Sequence, residues 1–207
     1  MSFMKKQIIA IHGGDVYRSY KEYIAGLKRW KIDKSDFEGS SQKGWRGTLQ
    51  KKLGNAFQII PIHMPNKNNA RYLEWKIWFD KFVPLMAREV VLVGHSMGGM
   101  FLAKYLAENR FPRKIRAVFL LAPAFQGNDA KDFMADFVLP KDLKRLKAYG
   151  DKIHIFQSKD DDLVLFKEFK LYQKALPEAQ TRVFKDRGHF KVTMSPELSR
   201  DIRKLYK

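Results

Sequence analysis

Cysteine is absent from the 207-residue chain. That excludes disulfides, iron–sulfur clusters and thiolate zinc sites, and it fits a reducing compartment. Long apolar runs are absent too. The longest stretch free of both charged residues and histidine, Ala117–Asn128, has 12 residues and includes a proline, whereas a membrane-spanning helix needs roughly 18. Behind the basic Met1–Lys6 start, the apolar segment is only Ile8–Ile11, shorter than the roughly 7–15 residues of a signal-peptide core. These absences predict a soluble cytoplasmic protein with no membrane partner. Internal repeats and low-complexity stretches are also missing, and with them solenoids, collagen and whole-chain disorder.

The composition that remains is globular, 45% hydrophobic and 30% charged, and the length suits one domain spanning residues 1–207. The net charge of +18 raises the question of a polyanion partner. Its distribution answers against one. The basic excess is 7 over residues 1–60, 6 over 61–120 and 5 over 121–207, with no basic tail and no Lys/Arg block. An even spread reads as a solvated surface, so no specific nucleic-acid partner is expected.

Short apolar runs alternate with longer helical patterns. Residues 7–11, 57–62, 90–93, 115–121, 153–156 and 182–184 read as strands. The inner ones are continuously apolar, as strands buried on both faces of a parallel sheet must be. Residues 69–83, 98–109, 164–175 and 196–206 read as helices, the last opened by Ser195 as N-cap and Pro196 at the first helical position. In the first of these, Leu73, Trp75, Ile77, Trp78, Phe79 and Phe82 form one broad stripe, expected to face the core. The alternation predicts an α/β three-layer sandwich. Two connections are long. Residues 13–55 are expected to hold two helices around Glu38–Ser41. Residues 126–150 carry Phe133, Met134, Phe137 and Val138 at amphipathic spacing, which predicts a short helix forming a small cap.

The segment that carries chemistry is Gly94-His95-Ser96-Met97-Gly98, between the run Val90–Val93 and a helix. A serine on a sharp strand-to-helix turn stands above the sheet edge, and the glycines let neighbouring backbone pass close. The helix behind it aims free N–H groups and its positive end at the same place, where negative charge can be stabilised. Ser96 is therefore a candidate nucleophile.

A serine nucleophile needs a base and an orienting acid. Of five histidines, His12 and His95 sit inside glycine motifs, His63 follows the second strand, and His154 lies within a strand as a packed core residue. His189 follows the last strand, at the sheet edge where open parallel sheets build their sites, and is the candidate base. The acid belongs after the penultimate strand, where Asp160, Asp161 and Asp162 stand in a row and only one can face the histidine. After the first strand, His12-Gly13-Gly14-Asp15 predicts an oxyanion donor at Gly14, with Asp15 as its alternative, paired with the N–H of Met97.

With these residues the chain resembles the α/β-hydrolases, and within them the small, nearly lidless retinoblastoma-binding-protein-like serine hydrolases. The likeness runs through His12-Gly-Gly, Met64-Pro65-Asn66, Gly94–Gly98, Leu121-Ala-Pro-Ala124, Ser158–Asp161 and Gly188-His-Phe190. It implies a six-stranded, mostly parallel sheet of order 2-1-3-4-5-6 and a triad of Ser96, Asp161 and His189. In the acid loop of such hydrolases the aspartate precedes a valine by three positions, a frame that Asp161 and Val164 fit. Asp162 and Leu165 stand where family members often have proline. The family's retinoblastoma-binding motif needs a cysteine, so that partner is not implied here.

The expected function is a cofactor-independent, metal-free serine hydrolase acting on small-molecule carboxylic esters through an acyl-enzyme on Ser96. A thioesterase or amidase with the same triad, and a non-catalytic binding module on the same fold, are the alternatives. Tyr17, Phe125 and segment 133–138 are the expected pocket walls.

Overall fold

The computed structural model describes residues 5–31, 45–127, 133–190 and 195–207. Along the chain run β1 (Lys6–Ile11), α1 (Tyr20–Arg29), α2 (Trp45–Leu53), β2 (Phe57–Ile62), α3 (Tyr72–Phe82), β3 (Glu89–His95), α4 (Met97–Glu108), β4 (Lys114–Leu121), the short α5 (Lys144–Lys147), β5 (Ile153–Ser158), α6 (Phe166–Ala175), β6 (Gln180–Phe184) and α7 (Ser195–Lys204). Glu38–Ser41 and the capping side chain of Ser195 lie outside the described residues.

The six strands form one sheet of order β2-β1-β3-β4-β5-β6, and every neighbouring pair is parallel. The period-2 alternation of strand side chains divides the core. Ile9, Ile11, Val90, Leu92, Val118, Leu120 and Ile155 join the side chains of α3, α4 and α6 on one face. Their neighbours Ile8, Ala10, Val91, Val93, Ala117, Phe119 and Phe156 join Leu49 and Leu53 of α2 and Leu198 and Ile202 of α7 on the other. This is the expected three-layer sandwich. Pro61 lacks an N–H, and β2 accommodates it by lying at the sheet edge. The Gln50 side chain covers part of that edge, accepting from Ile59 N–H at 2.9 Å and donating to the Phe57 carbonyl at 3.1 Å.

Two expectations need correction. In α3, only Trp75 and Phe79 of the stripe are fully buried, four residues apart and therefore on one face. Leu73 and Ile77 lie nearly half a turn away, toward the opposite face, and are 60% and 53% exposed. An apolar count overstated the buried width. Segment 133–138 forms no amphipathic helix. It makes a single 3₁₀ turn, Ala135–Phe137, entered through Ala135 at φ 48°. Asp136 accepts from the N–H groups of Tyr72 and Leu73, capping α3, and Phe137 is buried with its ring 5.2 Å from Trp75.

After α7, Tyr206 turns back to the start of the sheet. Its ring meets Phe57 edge-on at 5.5 Å, and the Lys6 ammonium lies 4.4 Å from its centroid. Among the described residues no helix is long and apolar enough to cross a membrane.

Candidate active site

Ser96 follows the last residue of β3 and precedes the first of α4. Its backbone has φ 54° and ψ −123°, a conformation costing a non-glycine residue about 1–3 kcal/mol. Neighbouring hydrogen bonds over-determine it. The Ser96 N–H donates to the Leu121 carbonyl at 2.8 Å, and its carbonyl accepts from Gly99 at 2.9 Å and Met100 at 3.1 Å. The two elbow glycines are dictated by contact. A Cβ at Gly94 would sit 2.3 Å from the Gly98 carbonyl oxygen, and one at Gly98 would sit 2.5 Å from that of His12.

His189 follows β6, and its Nδ1 lies 2.9 and 3.1 Å from the two carboxylate oxygens of Asp161. The pair is 8% and 3% exposed. Asp161 also accepts from the N–H groups of Leu163 at 3.0 Å and Val164 at 2.9 Å and from the Gln157 amide at 3.1 Å. A carboxylate held by this many donors is fixed in position. Of the three consecutive aspartates, Asp161 is the one against His189, while Asp160 and Asp162 are exposed.

Asp160 nevertheless has work of its own. Its Oδ1 accepts from the Ser158 hydroxyl at 2.5 Å and from Gly188 N–H at 2.9 Å, while Ser158 Oγ accepts from Arg187 N–H at 2.9 Å. These bonds tie the acid loop to the histidine loop, and the Ser158 bond is the main cause holding the Asp160 carboxyl below the usual carboxylate range. His95 braces the same loop from the other side, donating from Nε2 to the His189 carbonyl at 2.7 Å. His12 is a strut. Its Nε2 accepts the Met64 N–H at 2.9 Å, so Nδ1 carries the proton and faces the Gly13 carbonyl.

The Asp15 N–H donates to the Lys67 carbonyl at 2.8 Å, which leaves Gly14 of the two glycine-turn donors. Gly14, Met97, Ser96 and His189 line one cavity of about 410 Å³, walled by Tyr17 and Met134. A second cavity, about 580 Å³, shares Gly14, Ser96 and His189 and runs the other way to Leu27 and Trp30. The two form a cleft with Ser96 and His189 at its waist. Asp15 lines both lobes; burial pushes its carboxyl up, against the pull of Lys67.

Residues 35–196 match the family described as Serine hydrolase. The chain belongs to this family. It is 27% identical to Serine hydrolase RBBP9 of Rattus norvegicus over 172 residues, covering 78% of this chain and 86% of that protein. Among solved structures, the ydeN gene product of B. subtilis superposes with a TM-score of 0.75 at 19% identity, covering 98% of this chain and 99% of that one. A lipase-esterase related protein of Clostridium acetobutylicum does so with a TM-score of 0.61 at 16% identity, covering 97% and 94%. These two likenesses show the fold.

In this serine hydrolase the cleft walls differ in part from the sequence reading. Tyr17, Phe133 and Met134 line the cleft. Phe125 does not; its ring packs edge-on against Tyr172 at 4.9 Å. The same loop exposes a residue that the sequence reading passed over. Glu168, 1% exposed, accepts three backbone N–H groups at one oxygen, Oε2, from Phe125 at 2.7 Å and from Gln126 and Gly127 at 2.9 Å. Ala124 and Gly127 of that loop line the cleft. The signal available was helical spacing. Glu168 and Tyr172 are four apart on one face of α6, and both are buried. Burial, with the Glu168 carboxylate as second cause, raises the Tyr172 phenol above its ordinary value.

Proposed function

We propose that this serine hydrolase cleaves small-molecule carboxylic esters through an acyl-enzyme on Ser96, with His189 as base and acid and Asp161 as its orienting partner. The observation that carries the reading is the buried Asp161–His189 pair opening on the same cleft as a serine held at positive φ. With Nδ1 turned to Asp161, Nε2 of His189 is the nitrogen available for transfer. It takes the Ser96 hydroxyl proton as Oγ bonds to the ester carbonyl carbon. The negative oxygen of the tetrahedral intermediate accepts from the N–H groups of Gly14 and Met97. When the carbon–oxygen bond to the alcohol breaks, His189 returns the proton to that alcohol. Water then attacks the acyl carbon, His189 takes its proton and passes it to Ser96, and the carboxylic acid leaves.

The two lobes suit an ester, with acyl and alcohol portions on opposite sides of the waist. The lipase-esterase related protein of Clostridium acetobutylicum, which shares this fold, supports the same substrate class. Residues 1–207 act in this reading as one domain, with segment 133–150 serving as a wall of the cleft. The test is a fluorophosphonate probe with peptide mapping, joined to a panel of p-nitrophenyl esters of rising acyl length and matched thioester and anilide substrates. One label, on Ser96, and fastest turnover of esters are expected. Labelling of another serine, or none in folded protein, overturns the nucleophile. Faster turnover of thioester or anilide reassigns the substrate, and no turnover of any returns the binding-module reading.

A further inference from the structure

Away from the carboxyl ends of the strands, where Ser96 and His189 sit, lies a cavity of about 360 Å³ between the first residues of β5 and β6 and helix α7. One of its walls is His154, the second residue of β5. The ring stacks on Phe119 at 4.5 Å and 17°, and the residue is 8% exposed. Neither ring nitrogen has a hydrogen-bond partner among the described residues. The ring nitrogens are not sealed away from the cavity, so this edge of the ring is open to a group from outside.

The charges around it define that group. Four cations, Arg116, Lys152, Arg182 and Lys204, share the cavity with two carboxylates, Asp151 and Asp201. Asp201 is already neutralised by Arg182 at 2.6 Å, with Lys204 at 3.9 Å. Arg116 donates to the Leu205 carbonyl and pairs with Glu89 at 3.3 Å. Lys152 forms no ion pair among the described residues. The cavity therefore carries a positive surplus, and the side chains of Gln180 and Thr181 add neutral donors to its wall.

We propose that this cavity is a binding site for a phosphate group, received by His154, Lys152 and Lys204 with Gln180 and Thr181 at its edge. Phosphate oxygens are strong acceptors of charge-assisted hydrogen bonds, and once Arg182 is paired with Asp201 and Arg116 with Glu89, Lys152 and Lys204 still outnumber the remaining carboxylate, Asp151, a surplus that an oxyanion balances. Binding is coupled to a proton. Burial holds the imidazole below its ordinary pKa, Asp201 and Asp151 pull it up, and Arg182 pushes it down. An oxyanion against the ring favours the charged form, so the site takes up a proton as it fills. Part of the basic excess that an even spread assigned to solvated surface is thereby given a specific use.

The experiment is imidazole NMR of the full-length, ¹⁵N-histidine-labelled protein, titrated at constant ionic strength with inorganic phosphate, with a phosphate monoester and with chloride. A saturable shift of His154 with phosphate, a His154 pKa raised by about half a pH unit or more, and no shift of His189 are expected. The Lys152→Ala/Lys204→Ala variant changes only surface charge and weakens phosphate binding about tenfold or more. Tighter binding of the monoester assigns the site to an organic phosphate, and equal binding to the free anion. A His154 signal unmoved at tens of millimolar phosphate, a response matched by chloride, or one unchanged in the double variant overturns the proposal.

Discussion

Asp161→Asn lowers kcat for ester hydrolysis by on the order of 10²–10⁴, the range bounded by the same change in a serine protease triad. Asp160→Asn and Asp162→Asn keep most of their turnover. The difference follows from what each carboxylate touches. Asp161 accepts from Leu163 N–H, Val164 N–H, the Gln157 amide and His189. An asparagine there must turn its NH₂ toward at least one of those donors. It either breaks the loop contacts or presents a donor to Nδ1, forcing the imidazole into the tautomer that cannot accept the serine proton. Asp160 holds the two loops together through Ser158 and Gly188 but does not touch the ring, so its loss loosens the site without changing the tautomer. Steady-state kinetics on the three variants, each confirmed folded by circular dichroism, decides the matter. A large loss in Asp160→Asn or Asp162→Asn with near-normal Asp161→Asn would falsify the assignment.

Glu168→Ala destabilises the fold by about 2–4 kcal/mol. The variant strips the acceptor from three backbone donors at once. Gly127 is buried, Phe125 partly so and Gln126 exposed; water rescues the last and cannot reach the first. Glu168→Gln keeps an oxygen at the same place without its charge and loses about half as much. Urea unfolding reads both as a lower midpoint at unchanged slope. The loop also walls the cleft through Ala124 and Gly127, so the alanine variant raises KM more than it lowers kcat. A midpoint within error of the parent sinks this account of the buried carboxylate.

Local pattern finds what local physics determines. Val90–Val93 and Ala117–Leu121 are apolar on both faces because helices cover both faces, and that continuity is visible in the sequence. Ser96 is visible because its elbow needs glycines at fixed offsets, where a Cβ would meet backbone. What escaped depends on partners distant in the chain. Phe125 turns away from the cleft because Tyr172, 47 residues later, offers it an edge-on contact. Residues 133–138 look helical by spacing, yet Asp136 is drawn to the N-terminus of α3 and Phe137 to Trp75, which fixes a turn where a helix was expected. Glu168 resembles an ordinary charged helix position until the loop it captures is in place. Leu73 and Ile77 show the reverse error, apolar side chains counted as core although, among the described residues, the helix face they occupy meets no neighbour that buries them.

The contact of Tyr206 with Phe57 and Lys6 makes the polypeptide, in topological terms, almost a ring. The residue that opens β1 and one just past the last helix share a few ångströms of surface on the amino-end side of the sheet, away from the cleft. A short linker there joins the chain into a loop, and a cut elsewhere on the periphery gives new ends without separating Gly14, Ser96, Asp161 and His189. The linear order of serine, aspartate and histidine is then secondary to the places their strands take in the sheet. The site itself depends on which strand ends lie side by side, and that is a property of the sheet order.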